Sequence, residues 1–195
     1  MILERMPDQE PQFFHLYWLN QETLERNYTG ALERLDRIAV EVFQEEATFL
    51  PKTLLQAKIF SYSKQQTLAL GYYEKARIFL EEKVRERPKS PAVHSSLSIA
   101  YAGLGRKEEA IREGKQAVEL LPVSRDAFMG PAFVIGLAEI YTMVGEYDRS
   151  LNQIEHLLSI PSWFSVKELK LHPRWDPLRT HPRYKQILIK YSLDP

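Results

Sequence analysis

Leu104-Gly105-Arg106-Lys107-Glu108-Glu109-Ala110 has the grammar of a turn between two helices. Glycine supplies the left-handed backbone conformation that ends one helix. Acidic residues then fall in the first turn of the next helix, where its dipole favours negative charge, and a small residue follows where two helices approach closely. The same order returns at Leu70-Gly71-Tyr72-Tyr73-Glu74-Lys75-Ala76 and at Val144-Gly145-Glu146-Tyr147-Asp148-Arg149-Ser150, with a degenerate copy at Glu25-Arg26-Asn27-Tyr28-Thr29-Gly30-Ala31. Gly71 and Gly105 stand 34 positions apart, as do Pro88 and Pro122, and Gly145 follows Gly105 by 40. A recurring unit of this kind cannot bury its apolar face alone and must stack on its neighbours, so the recurrence predicts an all-α array of helix pairs.

Around the best copy, Pro91 to Pro122, the residues His94, Leu97, Ser98, Tyr101, Gly105, Ala110, Gly114, Ala117 and Pro122 fall on the spacing W-x2-L-G-x2-Y, A-x3-F, P. The chain here resembles the tetratricopeptide repeat family. Leu97, Tyr101, Ala110 and Pro122 agree with that pattern in kind, whereas His94, Ser98 and Gly114 depart from it. Gly114 stands where the family carries a large aromatic, so a bulky neighbour is expected to fill that space. The resemblance implies a right-handed α-solenoid of about four helix pairs over 12–164, after an irregular lead over 1–11 and before a C-terminal cap over 165–195.

The apolar pattern places the helices. Phe13, Phe14, Leu16, Tyr17, Trp18 and Leu19 begin a first helix, and Ala31, Leu32, Leu35, Ile38, Val42 and Phe43 recur at three-four spacing, predicting a second helix that runs toward Pro51. A third is expected from Lys52 to Leu70 and its partner from Tyr73 to Arg87. Ser90 is a predicted N-cap with Pro91 in the first helical position. Residues 123–130 lengthen one connection, with Phe128 and Met129 expected to pack against the stack; a small-molecule pocket beneath this loop is a second possibility. No strand is expected anywhere.

The tail carries His172-Pro173-Arg174-Trp175-Asp176-Pro177-Leu178 and then His181-Pro182-Arg183-Tyr184. Proline at 173, 177 and 182 forbids continuous helix, so Trp175, Leu178 and Tyr184 are expected to cap the last repeat. This segment looks like the closing segment after tetratricopeptide arrays in bacterial multidomain signalling proteins. Seven Lys or Arg between Lys167 and Lys190 could form a phosphate-binding patch, but Arg174 and Arg183 precede aromatics in tight turns and are read as structural.

Composition excludes several classes. Lys and Arg together number 26, as do Asp and Glu, so net charge does not direct the chain to nucleic acid or an anionic membrane. With no cysteine there is no disulfide framework, and no run of about 18 apolar residues could span a bilayer, which together point to the cytoplasm. The five histidines show no metal-ligand spacing, no phosphate-binding glycine loop or nucleophile elbow occurs, and paired acids fit solvated helix faces. The expectation is therefore no enzyme, no metal and no cofactor.

What remains is protein binding. In the resembled family the first helix of each unit lines a concave surface, which here implies a groove formed by Tyr17, Asn20, Ser61, Tyr62, Gln65, Ser95, Ile99, Ile135 and Glu139. Such a groove suits an extended peptide or a helix held on two tyrosine platforms. Lys58 and Asn20 are only fragments of the clamp by which some family members hold a C-terminal carboxylate. A homodimer through this face, or through the edge of the first repeat, is the remaining alternative.

Overall fold

The computed structural model describes residues 12–45 and 47–192. The expected irregular lead over 1–11 lies outside the described residues. Eight helices form four consecutive hairpins: α1 (Gln12–Leu24) with α2 (Tyr28–Arg37), α3 (Lys52–Tyr62) with α4 (Gln66–Glu86), α5 (Pro91–Gly103) with α6 (Lys107–Leu120), and α7 (Gly130–Met143) with α8 (Tyr147–Ser159). Each hairpin packs on the next, α2 on α3, α4 on α5 and α6 on α7. The chain is mostly helical, and no helix among the described residues is long and apolar enough to cross a membrane.

The four corners are one structure repeated. In each, a residue with left-handed backbone closes the first helix: Arg26 (φ 62°), Lys64 (φ 64°), Gly105 (φ 74°) and Gly145 (φ 78°). The N–H after it reaches back five residues, from Asn27 to the Glu22 carbonyl (2.9 Å), Gln65 to Phe60 (2.9 Å), Arg106 to Tyr101 (2.9 Å) and Glu146 to Tyr141 (2.8 Å). These are Schellman closures, which satisfy carbonyls left over at a helix end. Five positions after each left-handed residue comes Ala31, Ala69, Ala110 or Ser150, all 0% exposed, small residues buried where the second helix of the hairpin begins.

Two of these corners lie away from where the glycines point. Gly71 is inside α4, with nothing within 4 Å of where its side chain would begin, and the turn belongs to Lys64. Gly30 sits in the first turn of α2, while Arg26 takes the left-handed position. The left-handed positions 26, 64, 105 and 145 are thus 38, 41 and 40 residues apart. α3 accordingly ends at Tyr62, short of Leu70, and α4 begins at Gln66 and runs 21 residues. Gly71-to-Ala76 imitates Lys64-to-Ala69 because it is displaced by seven residues, two helical turns, so Ala76 shares the buried face and is also 0% exposed.

The second correction concerns residues 38–51. α2 stops at Arg37, and Val42–Glu45 (β1) pairs antiparallel with Thr48–Pro51 (β2), Phe43 opposite Leu50 and Gln44 opposite Phe49. β-Branched and aromatic residues on both sides fit a pleated surface better than a helix. Phe43 joins the core of the first hairpin and Phe49 that of the middle hairpins, so the small sheet stitches two cores together.

Two local expectations hold, while the expected acidic first turn is found in α6 and α8 but not in α2 or α4. Ser90 Oγ accepts from the Val93 N–H as N-cap of α5. A side chain at Gly114 would meet Ile140 Cδ1 at 2.8 Å and Leu137 Cδ1 at 3.1 Å, the bulky neighbours that occupy its place. Phe128 does not pack on the stack. It is 73% exposed, because Asp126 Oδ1 accepts from the Phe128 and Met129 N–H groups and holds the 123–130 connection as a self-contained turn.

Past α8 the chain forms α9 (Val166–Leu171), a 3₁₀ turn (Pro173–Leu178) and α10 (Pro182–Ser192). Trp175, Leu178 and Tyr184 are buried with Ile154 and Leu157 of α8, as a cap on the last hairpin requires. The tail does more than cap, however. Arg26 at the first corner grips Asp176 through both oxygens, at 2.6 and 2.9 Å, across 150 positions of sequence, and its Nη2 also donates to the Leu171 carbonyl. The tail therefore returns across the first helices to the start of the array. Arginine in a left-handed position costs roughly 1 kcal/mol or more against glycine; the clasp is what an arginine there adds and a glycine could not.

Candidate functional site

The groove bounded by the first helix of each hairpin is crossed by one strut from the tail. Glu139 of α7, 2% exposed, receives Lys58 Nζ of α3 at 2.7 Å, Arg174 Nη1 of the 3₁₀ turn at 3.0 Å and the Tyr62 hydroxyl at 3.3 Å. Lys58 and Tyr62 lie one turn apart on α3, which puts both on the face turned to α7. Arg174 Nη2 lies 2.7 Å from His172 Nε2, and Arg174 Nε lies 3.6 Å from Glu168.

Burial governs the charges of this cluster. Burial, the largest influence on Glu139, favours its neutral form, yet the charges of Lys58 and Arg174 and the bonds from Lys58 and Tyr62 outweigh it, and its pKa is lowered. Burial lowers Lys58, partly offset by Glu139, and raises Tyr62 well above the ordinary phenol value. His172, 3% exposed, is held far below the ordinary imidazole range by burial and then by Arg174 and Lys58. Its geometry agrees: both ring nitrogens face N–H groups of Arg174, the neutral ring can accept from one of them, and a second ring proton would remove that acceptor as well.

His172 gives a pH prediction. The unfolded ring takes a proton near the ordinary value of 6.5 and the folded one does not, so stability is lost as pH falls below 6.5, by up to about 1.4 kcal/mol per pH unit. His94 acts oppositely. Its bond to Glu113 at 2.7 Å raises its pKa, so it contributes stability below 6.5 that is lost as pH rises through the raised value. Melting temperatures between pH 5 and 8 should therefore peak near neutrality. His172→Asn should flatten the acid side and His94→Gln the alkaline side; an unchanged acid slope in His172→Asn would show that the ring is not buried neutral.

Tyr62, Glu139 and Arg174 partition the groove into two cavities that share them as a wall. One, about 280 Å³, lies among the corners at Lys64, Gly103 and Tyr147 and the tail at Pro173 and Asp176. The other, about 270 Å³, lies between α1, α3, α5 and α7, with apolar walls and Trp163, 58% exposed, at its rim. Neither is lined by residues 123–130.

Of the nine residues assigned to the groove, Asn20, Tyr62, Ser95, Ile99, Ile135 and Glu139 line the 270 Å³ cavity, and Ser61 lines the other. Tyr17 lines neither. It is 60% exposed and packs edge-on against Trp18. Gln65 is exposed at the second corner, bonded to Ser63. Tyr62 offers no open platform, because its hydroxyl is tied to Glu139 and His172 packs edge-on at 6.0 Å. The assigned set lacks Lys58, His172 and Arg174. The i, i+4 spacing of Lys58 and Tyr62 was a legible signal for the first; the tail residues had none, since their partners lie on distant helices.

The basic tail is largely neutralised. Arg174 pairs with Glu139, Arg179 with Asp176, Arg183 with Asp148 and Glu155, and Lys190 with Glu155. Among the described residues no group of three or more potential ligands is placed to hold a metal ion. Comparison with family models, curated proteins and solved structures gives no match, so function must be read from this chain's own residues.

Proposed function

We propose that this chain is a non-catalytic recognition module of tetratricopeptide type, in which the groove left open by the tail takes an apolar anchor of a partner protein. The four Schellman corners, each followed by a buried small residue, support the repeat reading. The observation that carries the binding reading is the 270 Å³ cavity walled by the first helix of every hairpin and rimmed by exposed Trp163. Large aromatic side chains at the mouth of an apolar pocket are the usual anchors of recognition surfaces. With affinity set by anchor burial and ligand ordering, the module would serve as a scaffold or regulatory segment of a cytoplasmic signalling protein.

Panning a displayed peptide library on the full chain tests this. Peptides sharing a bulky apolar residue should enrich, and Ala132→Trp, which fills the cavity from α7 without touching the Glu139 cluster, should abolish their binding. Equal enrichment on the filled variant would remove the assignment.

A further inference from the structure

We propose that the cavity between α1, α3, α5 and α7 binds a free monocarboxylate with an apolar body, about ten heavy atoms in all. The size follows from volume: about 270 Å³ here, against the ~150 Å³ apolar cavity that takes up benzene. Leu16, Leu19, Leu55, Ile59, Ile99 and Ile135 wall the space and suit a hydrocarbon body.

The head group follows from a count of donors and acceptors at the polar end. Two cations, Lys58 and Arg174, line the cavity against one carboxylate, Glu139, and a second carboxylate outside the lining, Glu168, stands 3.6 Å from Arg174 Nε. Glu139 already accepts from three donors. Lys58 has three N–H groups and one partner, Glu139, among the described residues, and Arg174 Nε is buried with no hydrogen-bond partner. His172 offers no spare acceptor, since both its nitrogens face Arg174. Donors exceed acceptors and the spare ones belong to cations, so an incoming carboxylate at Lys58 completes the site, whereas an amine brings only further donors. The site is the cavity assigned above to a partner's anchor, but it stands on octanoate binding alone. If library panning fails and octanoate binds, only the partner reading falls.

Isothermal titration of the full chain with octanoate, 1-octanol and octylammonium tests the assignment. Octanoate should bind once per chain and at least tenfold more tightly than the alcohol of equal body, and octylammonium should not bind. Ala132→Trp should abolish octanoate binding with the charge cluster intact, and Lys58→Met should weaken it at least tenfold. Should Lys58→Met fail to fold, the octanoate-to-octanol ratio in the unaltered chain decides alone. Equal affinity for acid and alcohol would overturn the carboxylate site. Binding of a hexapeptide ending in a free leucine carboxylate, with none of octanoate, would overturn the assignment to a small molecule.

Discussion

Glu139→Gln is expected to destabilise the chain by about 3 kcal/mol, because it leaves two largely buried cations facing a neutral amide. The side chains of Lys58 and Arg174 are 14% and 18% exposed, and that of Glu139 is 3% exposed, so water replaces only part of the lost charge. At this chain length such a loss corresponds to a melting temperature lower by about 6 to 12 °C. The attribution can be checked by adding Lys58→Met, which removes one of the two stranded cations. The double variant should recover part of the loss, giving a favourable coupling between positions 58 and 139. A urea midpoint that moves by less than about 1 kcal/mol equivalent would show that the strut is solvated and that the tail crosses the groove without depending on it.

Trp175→Ala should be comparably severe, about 3 to 5 kcal/mol, the range for removing a large aromatic from a packed core. The ring is 0% exposed, meets Phe164 edge-on at 5.8 Å, and belongs to the core that also holds Val134 and Ile135 of α7 and Leu151 and Ile154 of α8. It also follows Arg174 directly, so loosening it releases the strut. The C-terminal segment should therefore detach before the array unfolds, seen as a broadened urea transition of lower apparent slope. Trp175→Phe should lose less. It keeps an aromatic ring and removes an indole N–H that is buried without a partner. A single sharp transition of unchanged slope in Trp175→Ala, with a loss below about 1 kcal/mol, would make the cap peripheral.

The same two positions show where reading the chain stops. Trp175 was recognisable as a buried cap residue because prolines at 173 and 177 force turns and a large aromatic between them must find cover. That Arg174 beside it spans the groove to Glu139 was not recognisable, since the pairing joins α7 to the tail and borrows Lys58 from a third element. Charges balanced over the whole chain say nothing of which acid meets which base. The clasp between Arg26 and Asp176 is hidden for the same reason, its members being 150 positions apart.

Sequence by itself determined the hairpin grammar: a helix closure, a restart and a small residue at each crossing are local events, set by backbone sterics and hydrogen bonds within a few residues. Even there, glycine marked only two of four corners, because a left-handed residue can be Arg26 or Lys64 when surroundings hold it. The β1–β2 hairpin escaped because Ile38, Val42 and Phe43 also satisfy a helical spacing, and only the cores that receive Phe43 and Phe49 break the tie. Tertiary structure decided the groove. Which first helices face one cavity, and that the tail lies across it, depend on how four hairpins stack, and stacking is set by the fit of side chains distant in sequence.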